Sequence, residues 1–426
     1  MSPQVTPMSR FLIAASALAL SSTALVADWL PTSPLVQIGN DCDLFFDAST
    51  YLEVTDNLYS GQVKKSATQW LITPGLALEY GKDSALSVEF KASRSFVNFT
   101  GSEFAGLEDN RDALSLAVAF ADGGPLKLSL NSSYRVTARN DDLQFQGVNN
   151  SVIGATLVRQ GNYVHNFRAD YKFTERLSVG LGYVNSFNQY LDPVTVVTSG
   201  VSTYNTNPLT ELNTQSMPLS VDFQAFEKLS FGLVLQHDVT DYSAAPYLNS
   251  SGTPRGALDH QRLEKDFAGL TAKGQLTESG KLNGVIRVGF NRFNYDNGPT
   301  STDPSYSVSL SHVLTERLSH SLTLGRDISA STTNGRIDTR NYTYGMAFAA
   351  AEDLDFNLSV SKSDMEVAAN SLVTTIDTWV YTLGASYKYT SHLSFQAGYT
   401  FTDAKASNAS SSFNSNVFSL SAAFRY

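Results

Sequence analysis

From Phe46 to the last residue, apolar side chains recur at every second position in one segment after another, a period that belongs to strands and not to helices. Leu86, Val88, Phe90 and Ala92 share one strand face opposite Ser87, Glu89, Lys91 and Ser93. Leu354, Phe356, Leu358 and Val360 stand opposite Asp355, Asn357 and Ser359, and Leu393, Phe395, Ala397, Tyr399 and Phe401 opposite Ser394, Gln396, Gly398 and Thr400. The segments are joined by two kinds of connection in alternation. Short ones fall near 81–83, 121–124, 174–176, 227–228, 278–280, 315–317, 351–353 and 390–392. Long polar ones fall at 55–67, 98–110, 139–160, 190–215, 240–260, 294–304, 330–340, 364–375 and 403–414. Eight short and nine long connections predict eighteen strands.

Strict alternation of tight turns and long loops is the pattern of a transmembrane antiparallel β-barrel, with its turns in the periplasm and its loops outside the cell. A soluble two-sheet sandwich needs large residues buried on one face and no second apolar surface. Here the face opposite the leucines is rich in Ser, Gly, Asn and charge, as expected when lipid takes the large side chains and the interior takes the polar ones. Closure follows, because an open edge in hydrocarbon leaves backbone groups without hydrogen bonds. The predicted class is all-β, and the placement the cell outer membrane of a Gram-negative bacterium. Around Gln261–Thr277 the alternation is poor, and this is where a strand could be miscounted.

The first residues are set apart by a short apolar run, Phe11 to Leu20, preceded by Arg10 and followed by small residues. This reads as a signal peptide, with cleavage after Ala24 or Ala27 and Met8 as an alternative start. Residues 1–27 are therefore assigned to the signal, 28–42 to a periplasmic segment and 43–426 to the barrel. Beyond Leu20 no apolar stretch reaches the roughly 20 residues of a membrane helix, and mean hydropathy is -0.14. A net charge of -10 without a basic cluster argues against nucleic acid as a partner. Cys42, the single cysteine, makes no disulfide within the chain and is expected to be dispensable for assembly.

No catalytic constellation, metal ligand set or cofactor motif emerges. His165, His237, His260, His312, His320 and His392 are scattered, and Asn110-Arg111-Asp112 and Asn140-Asp141-Asp142 lack the spacing of a calcium loop. No plug-like domain is expected before Phe46. The loop at 190–215, with Asn205, Asn207, Pro208 and Asn213, suits either an inward constriction or a recognition surface.

The polar face holds Glu79, Glu89, Lys91, Lys127, Arg135, Arg168, Asp170, Asp222, Arg287, Asp355, Lys388 and Arg425. A charge facing lipid costs about 2–4 kcal/mol near the midplane for Arg or Lys, so these residues are expected to line the lumen. Thr174-Glu175-Arg176-Leu177-Ser178 recurs as Thr315-Glu316-Arg317-Leu318-Ser319 at two tight turns, as one hairpin problem solved twice.

The final alternation, Phe418, Leu420, Ala422, Phe424, Tyr426, ends on an aromatic residue. It resembles the closing strand of outer-membrane proteins, which implies that Phe424 and Tyr426 signal to the barrel-assembly machinery. Near the start, Thr55-Asp56-Asn57-Leu58-Tyr59 and Ile72-Thr73-Pro74-Gly75-Leu76-Ala77-Leu78-Glu79-Tyr80 resemble segments of the outer-membrane β-barrel porin family of Gram-negative bacteria. That resemblance implies a channel for passive diffusion of small hydrophilic solutes, embedded in outer-membrane lipid and lipopolysaccharide. The alternative is a non-conducting barrel whose surface loops serve binding, adhesion or envelope assembly.

Overall fold

The computed structural model describes residues 33–426, apart from 59–63, 83, 102–108, 140–157, 192–195, 199–200, 204–210, 244–246, 249–253, 256–260, 278, 296–299, 332–334, 370–371 and 408–411. The expected signal peptide and positions Asn205, Asn207, Pro208 and His260 lie outside the described residues. A nineteen-stranded antiparallel sheet dominates the structure. Val36–Ile38 is a short appendage to it, and the other eighteen strands run in sequence from Cys42–Thr55 to Phe413–Arg425. Each pairs with the next, and the last pairs with the first from Asp47↔Arg425 to Thr55↔Val417, so the sheet closes into an eighteen-stranded barrel.

Large apolar residues such as Leu76, Phe90, Leu181, Leu270, Phe290 and Leu383 are exposed around the outside, forming the belt that lipid covers. Below Tyr426, whose backbone exchanges hydrogen bonds with Phe46, the appendage continues the same edge by pairing Val36–Ile38 with Cys42–Leu44. Cys42 thus lies within a strand, opposite Tyr80 and Ile38, and not in the irregular segment expected before the barrel.

The repeated Thr-Glu-Arg-Leu-Ser turn has a local cause. Thr174 Oγ1 accepts the N–H groups of Arg176 (3.2 Å) and Leu177 (3.0 Å), and Thr315 Oγ1 accepts that of Arg317 (3.2 Å). Thr390 does the same for His392 (3.2 Å) and Leu393 (3.0 Å), so a threonine satisfies the donors that a tight reversal leaves over. Gly81, at φ 69°, has no substitute in its turn, because a Cβ there would lie 2.1 Å from the Leu86 carbonyl oxygen.

Several connections expected to be long are short. The strands Leu282–Tyr295 and Ser301–Val313 reach into 294–304, Leu318–Ser331 and Gly335–Ala349 into 330–340, and Leu354–Ala369 and Leu372–Lys388 leave only two residues between them. Above the lipid the outer strand face no longer meets hydrocarbon, so pairing continues where the outward alternation of apolar residues stops. Asn213, expected in a loop, is accordingly on the strand Glu211–Phe226, where Asn185 Nδ2 donates to its Oδ1 at 2.8 Å.

Candidate functional site

On three strands a polar side chain interrupts the outer apolar face at one height, although Phe96, two positions beyond Arg94, is again an exposed aromatic. Arg94, eight positions beyond Leu86 on its strand, faces outward and forms a bidentate pair with Asp112 (2.6 and 2.9 Å). His237 sits eight positions beyond Leu229 and bonds Asp266 at 2.7 Å, and Lys362 eight beyond Leu354, paired with Asp364 at 2.6 Å. At about 3.3 Å per residue and a tilt near 40°, eight residues climb roughly 20 Å, close to the height of an outer-membrane apolar band. The strands then continue past this polar boundary as a collar outside the membrane.

Within the collar the inner face is covered. Ala67, Val97, Gln160 and Thr240 are buried, as are Leu263, Phe293, Val367, Ile376 and Ala404 on the strands that follow around the barrel. All of these lie ten or more positions above the periplasmic ends of their strands. Leu263, Phe293 and Ile328 pack together with Leu212 against them, and Phe293 and Ile328 are fully buried at 0% exposure. At membrane height the inner face is mixed, with Val285 40% exposed and Phe45, Ala77 and Ser394 buried.

Ion pairs stiffen the collar. Asp109, with an 8% exposed side chain, receives Arg159 at 3.1 Å and Arg111 at 3.5 Å. Asp238 is held by Lys265 at 3.2 Å and by Gln236 Nε2 at 2.8 and 3.0 Å, while Arg326 pairs with Asp338 at 2.5 Å.

The seam between first and last strands is clasped at both ends. Outside, Asp56 Oδ1 accepts the Asn416 backbone N–H (2.7 Å), and its Oδ2 accepts Asn416 Nδ2 (2.8 Å) and Lys64 Nζ (2.7 Å). Asn57 Nδ2 donates to the Asn414 carbonyl at 2.9 Å. Partial burial raises the Asp56 pKa, but the hydrogen bonds from Lys64 and Asn416 outweigh it and hold the carboxyl below its ordinary value. A depressed folded pKa adds stability that is complete above the unfolded value of about 3.9 and disappears as pH falls through the folded one. Asp56→Asn is therefore expected to weaken the seam by about 1 kcal/mol at pH 7, with the difference from the parent vanishing near pH 2. Urea midpoints at the two pH values check this, and a difference independent of pH contradicts it.

At the periplasmic end Arg425, 8% exposed, places Nη2 2.8 Å from Glu79 Oε1 and Nε 3.1 Å from Asp47 Oδ1, the latter too poorly aligned for a hydrogen bond. Its guanidinium lies 4.2 Å above the Phe45 ring. Asp47 carried no signal of its own, since it reads simply as a polar position in an alternating strand.

The remaining predicted charges sit on the face away from the exposed belt and pair along the wall. Lys91 pairs with Glu89, Arg168 with Asp170 (2.7 Å), and Asp222 with Lys273 (2.9 Å). Arg287 donates to Gln236 Oε1 (3.2 Å) and covers the Phe267 ring at 3.9 Å. Lys127 lies opposite Asp170, Arg135 opposite Ala113, Asp355 opposite Ser386 and Lys388 opposite Ser394. Glycines make room for these pairs: a Cβ at Gly180 would meet Asp170 Oδ1 at 2.5 Å and Arg168 Nη2 at 2.7 Å, and one at Gly232 would meet Asp222 Oδ1 at 2.7 Å. The small residues on this face thus hold charged side chains flat and do not leave the space free. Phe424 and Tyr426 are on the outer face at the periplasmic end, 39% and 46% exposed.

No protein-family model matches the chain, and no curated protein matches it in sequence. Its fold is that of solved outer-membrane barrels. The FrpB iron transporter from Neisseria meningitidis superposes with a TM-score of 0.50 at 12% identity in its F5-1 apoprotein form, over 86% of this chain and 62% of that one. Its F3-3 variant gives 0.49 at 11% over the same shares, and the ferric-catecholate import receptor Fiu from E. coli K12 gives 0.48 at 10%, over 93% and 82%. The chain spans about three fifths of the FrpB chains it matches. This protein is an outer-membrane β-barrel.

The expected membership of the porin family is corrected by these findings. No family model supports it, and a fold likeness at a TM-score of 0.50 is to a chain described as an iron transporter. The motif that carried the resemblance, Asp56-Asn57, here closes the seam. The expected passive-diffusion channel is withdrawn with it. Among the described residues no three His, Cys, Asp or Glu side chains gather as a metal site, and the similar structures named above are transporters and a receptor, not enzymes.

Proposed function

We propose that this barrel is a receptor-type outer-membrane protein that recognises a ligand at its extracellular end and has no standing open channel. The buried inner face of the collar supports this reading, with Phe293 at 0% exposure. The strands that run on above the polar boundary give a ligand a docking surface. Iron-bearing chelates are the first class to test, because FrpB is described as an iron transporter. In this reading the twelve inner charges line the route below the collar, lipopolysaccharide surrounds the polar boundary, and Phe424 and Tyr426 address the assembly machinery. Cys42 is dispensable.

Osmotic swelling of proteoliposomes tests the closed state. Vesicles carrying the folded barrel are expected to swell in small sugars no faster than protein-free vesicles. Rapid swelling that scales with the amount of barrel would overturn the proposal.

A further inference from the structure

His312 and His320 stand directly opposite each other on the strands Ser301–Val313 and Leu318–Ser331, flanking the tight turn at 314–317. They alternate with Leu310 and Leu322, so they face outward at the periplasmic boundary of the belt. Their rings are 5.0 Å apart, and Nδ1 of His312 is 2.9 Å from Nε2 of His320. The other described histidines bond different groups: His165 meets Ser132 Oγ, His237 the Asp266 carboxylate, and His392 the Arg425 carbonyl. Here two imidazoles bond one another, so one nitrogen holds a proton and the other offers its lone pair.

We propose that His312 and His320 form a two-imidazole site for a divalent transition metal of the copper or zinc type. Metal–nitrogen bonds of about 2.0–2.1 Å at a tetrahedral angle put two nitrogens about 3.3 Å apart, so the 2.9 Å pair needs to open only slightly. The metal takes the place of the bridging proton, and the donating ring regains a proton on its far nitrogen, so both imidazoles stay neutral and each offers one lone pair. Neighbouring strands hold the rings in place, because cross-strand partners are fixed about 4.5–5.5 Å apart at Cβ. Met346 occupies the next register position beside His320, and its thioether is a soft ligand within the same outward row. The coordination sphere is otherwise open to water or lipid head groups, which distinguishes it from a closed structural site. Copper(II) binds such nitrogen sets more tightly than the other divalent first-row metals.

The test is copper(II) titration of the purified, folded full barrel in detergent, followed by electron paramagnetic resonance. One tightly bound ion with coupling to two nitrogens is expected. His312→Ala or His320→Ala should each weaken binding by at least about tenfold and remove that two-nitrogen signal, while His165→Ala leaves both unchanged. Heat-modifiable gel mobility confirms that each variant is folded. A parent barrel that binds no copper overturns the site, as does a doubly substituted barrel whose spectrum and affinity equal the parent's.

Discussion

Replacing Arg425 by methionine is expected to destabilise the folded barrel by about 3–5 kcal/mol, the usual cost of removing one partner from a buried ion pair. Asp47 and Glu79 would be left facing each other without their shared cation at 3.1 and 2.8 Å, and Phe45 would lose the guanidinium above its ring. The loss falls on the seam, where only the first and last strands meet and no covalent turn joins them. Urea unfolding of barrels in lipid vesicles, read by gel mobility, measures it. Asp47→Asn together with Glu79→Gln in the same background should restore much of the loss, because the stranded charges are then gone. An unchanged midpoint in Arg425→Met would show that the clasp contributes nothing to closure.

Truncation of Phe293 to alanine is the second large effect expected, again about 3–5 kcal/mol, from lost burial and the cavity left beside its neighbours. Phe293 is fully buried with Leu263 and Ile328, and Leu212 packs against the three. Phe293→Leu, which keeps most of the volume, should cost less. The same unfolding measurement ranks the two variants, and equal stability of Phe293→Ala and parent would mean that the collar is not packed around this ring.

The membrane section of the fold was legible because lipid imposes a single rule on it, large apolar side chains outward at every second position. Eighteen strands and the eight tight turns follow from that rule. The collar was not legible, and Gln261–Gln275 shows why. There Leu263 and Phe267 are buried on the inner face while Glu264 and Asp266 lie on the outer, so the alternation is reversed with respect to the belt and reads as disorder in the pattern. Apolar residues of the opposite parity, Val97, Leu263, Phe293, Val367 and Ile376, were the available signal for a covered mouth. The seam clasps were hidden for a different reason. Asp56 and Asn416, or Asp47 and Arg425, are separated by almost the whole chain and become neighbours only when the barrel closes. The Asp56-Asn57 motif was noticeable, but its purpose depended on a partner that only the topology supplies.

The proposed closed state is tested most directly by the current through single barrels. Purified protein should be inserted into a planar bilayer in symmetric salt, with insertion verified independently by heat-modifiable mobility of recovered protein. The proposed closed state predicts no stable ohmic steps from the unliganded parent barrel. Long-lived steps that grow in proportion to salt would contradict it, and would show that the inner face at Phe293 is open to water in the membrane-inserted protein.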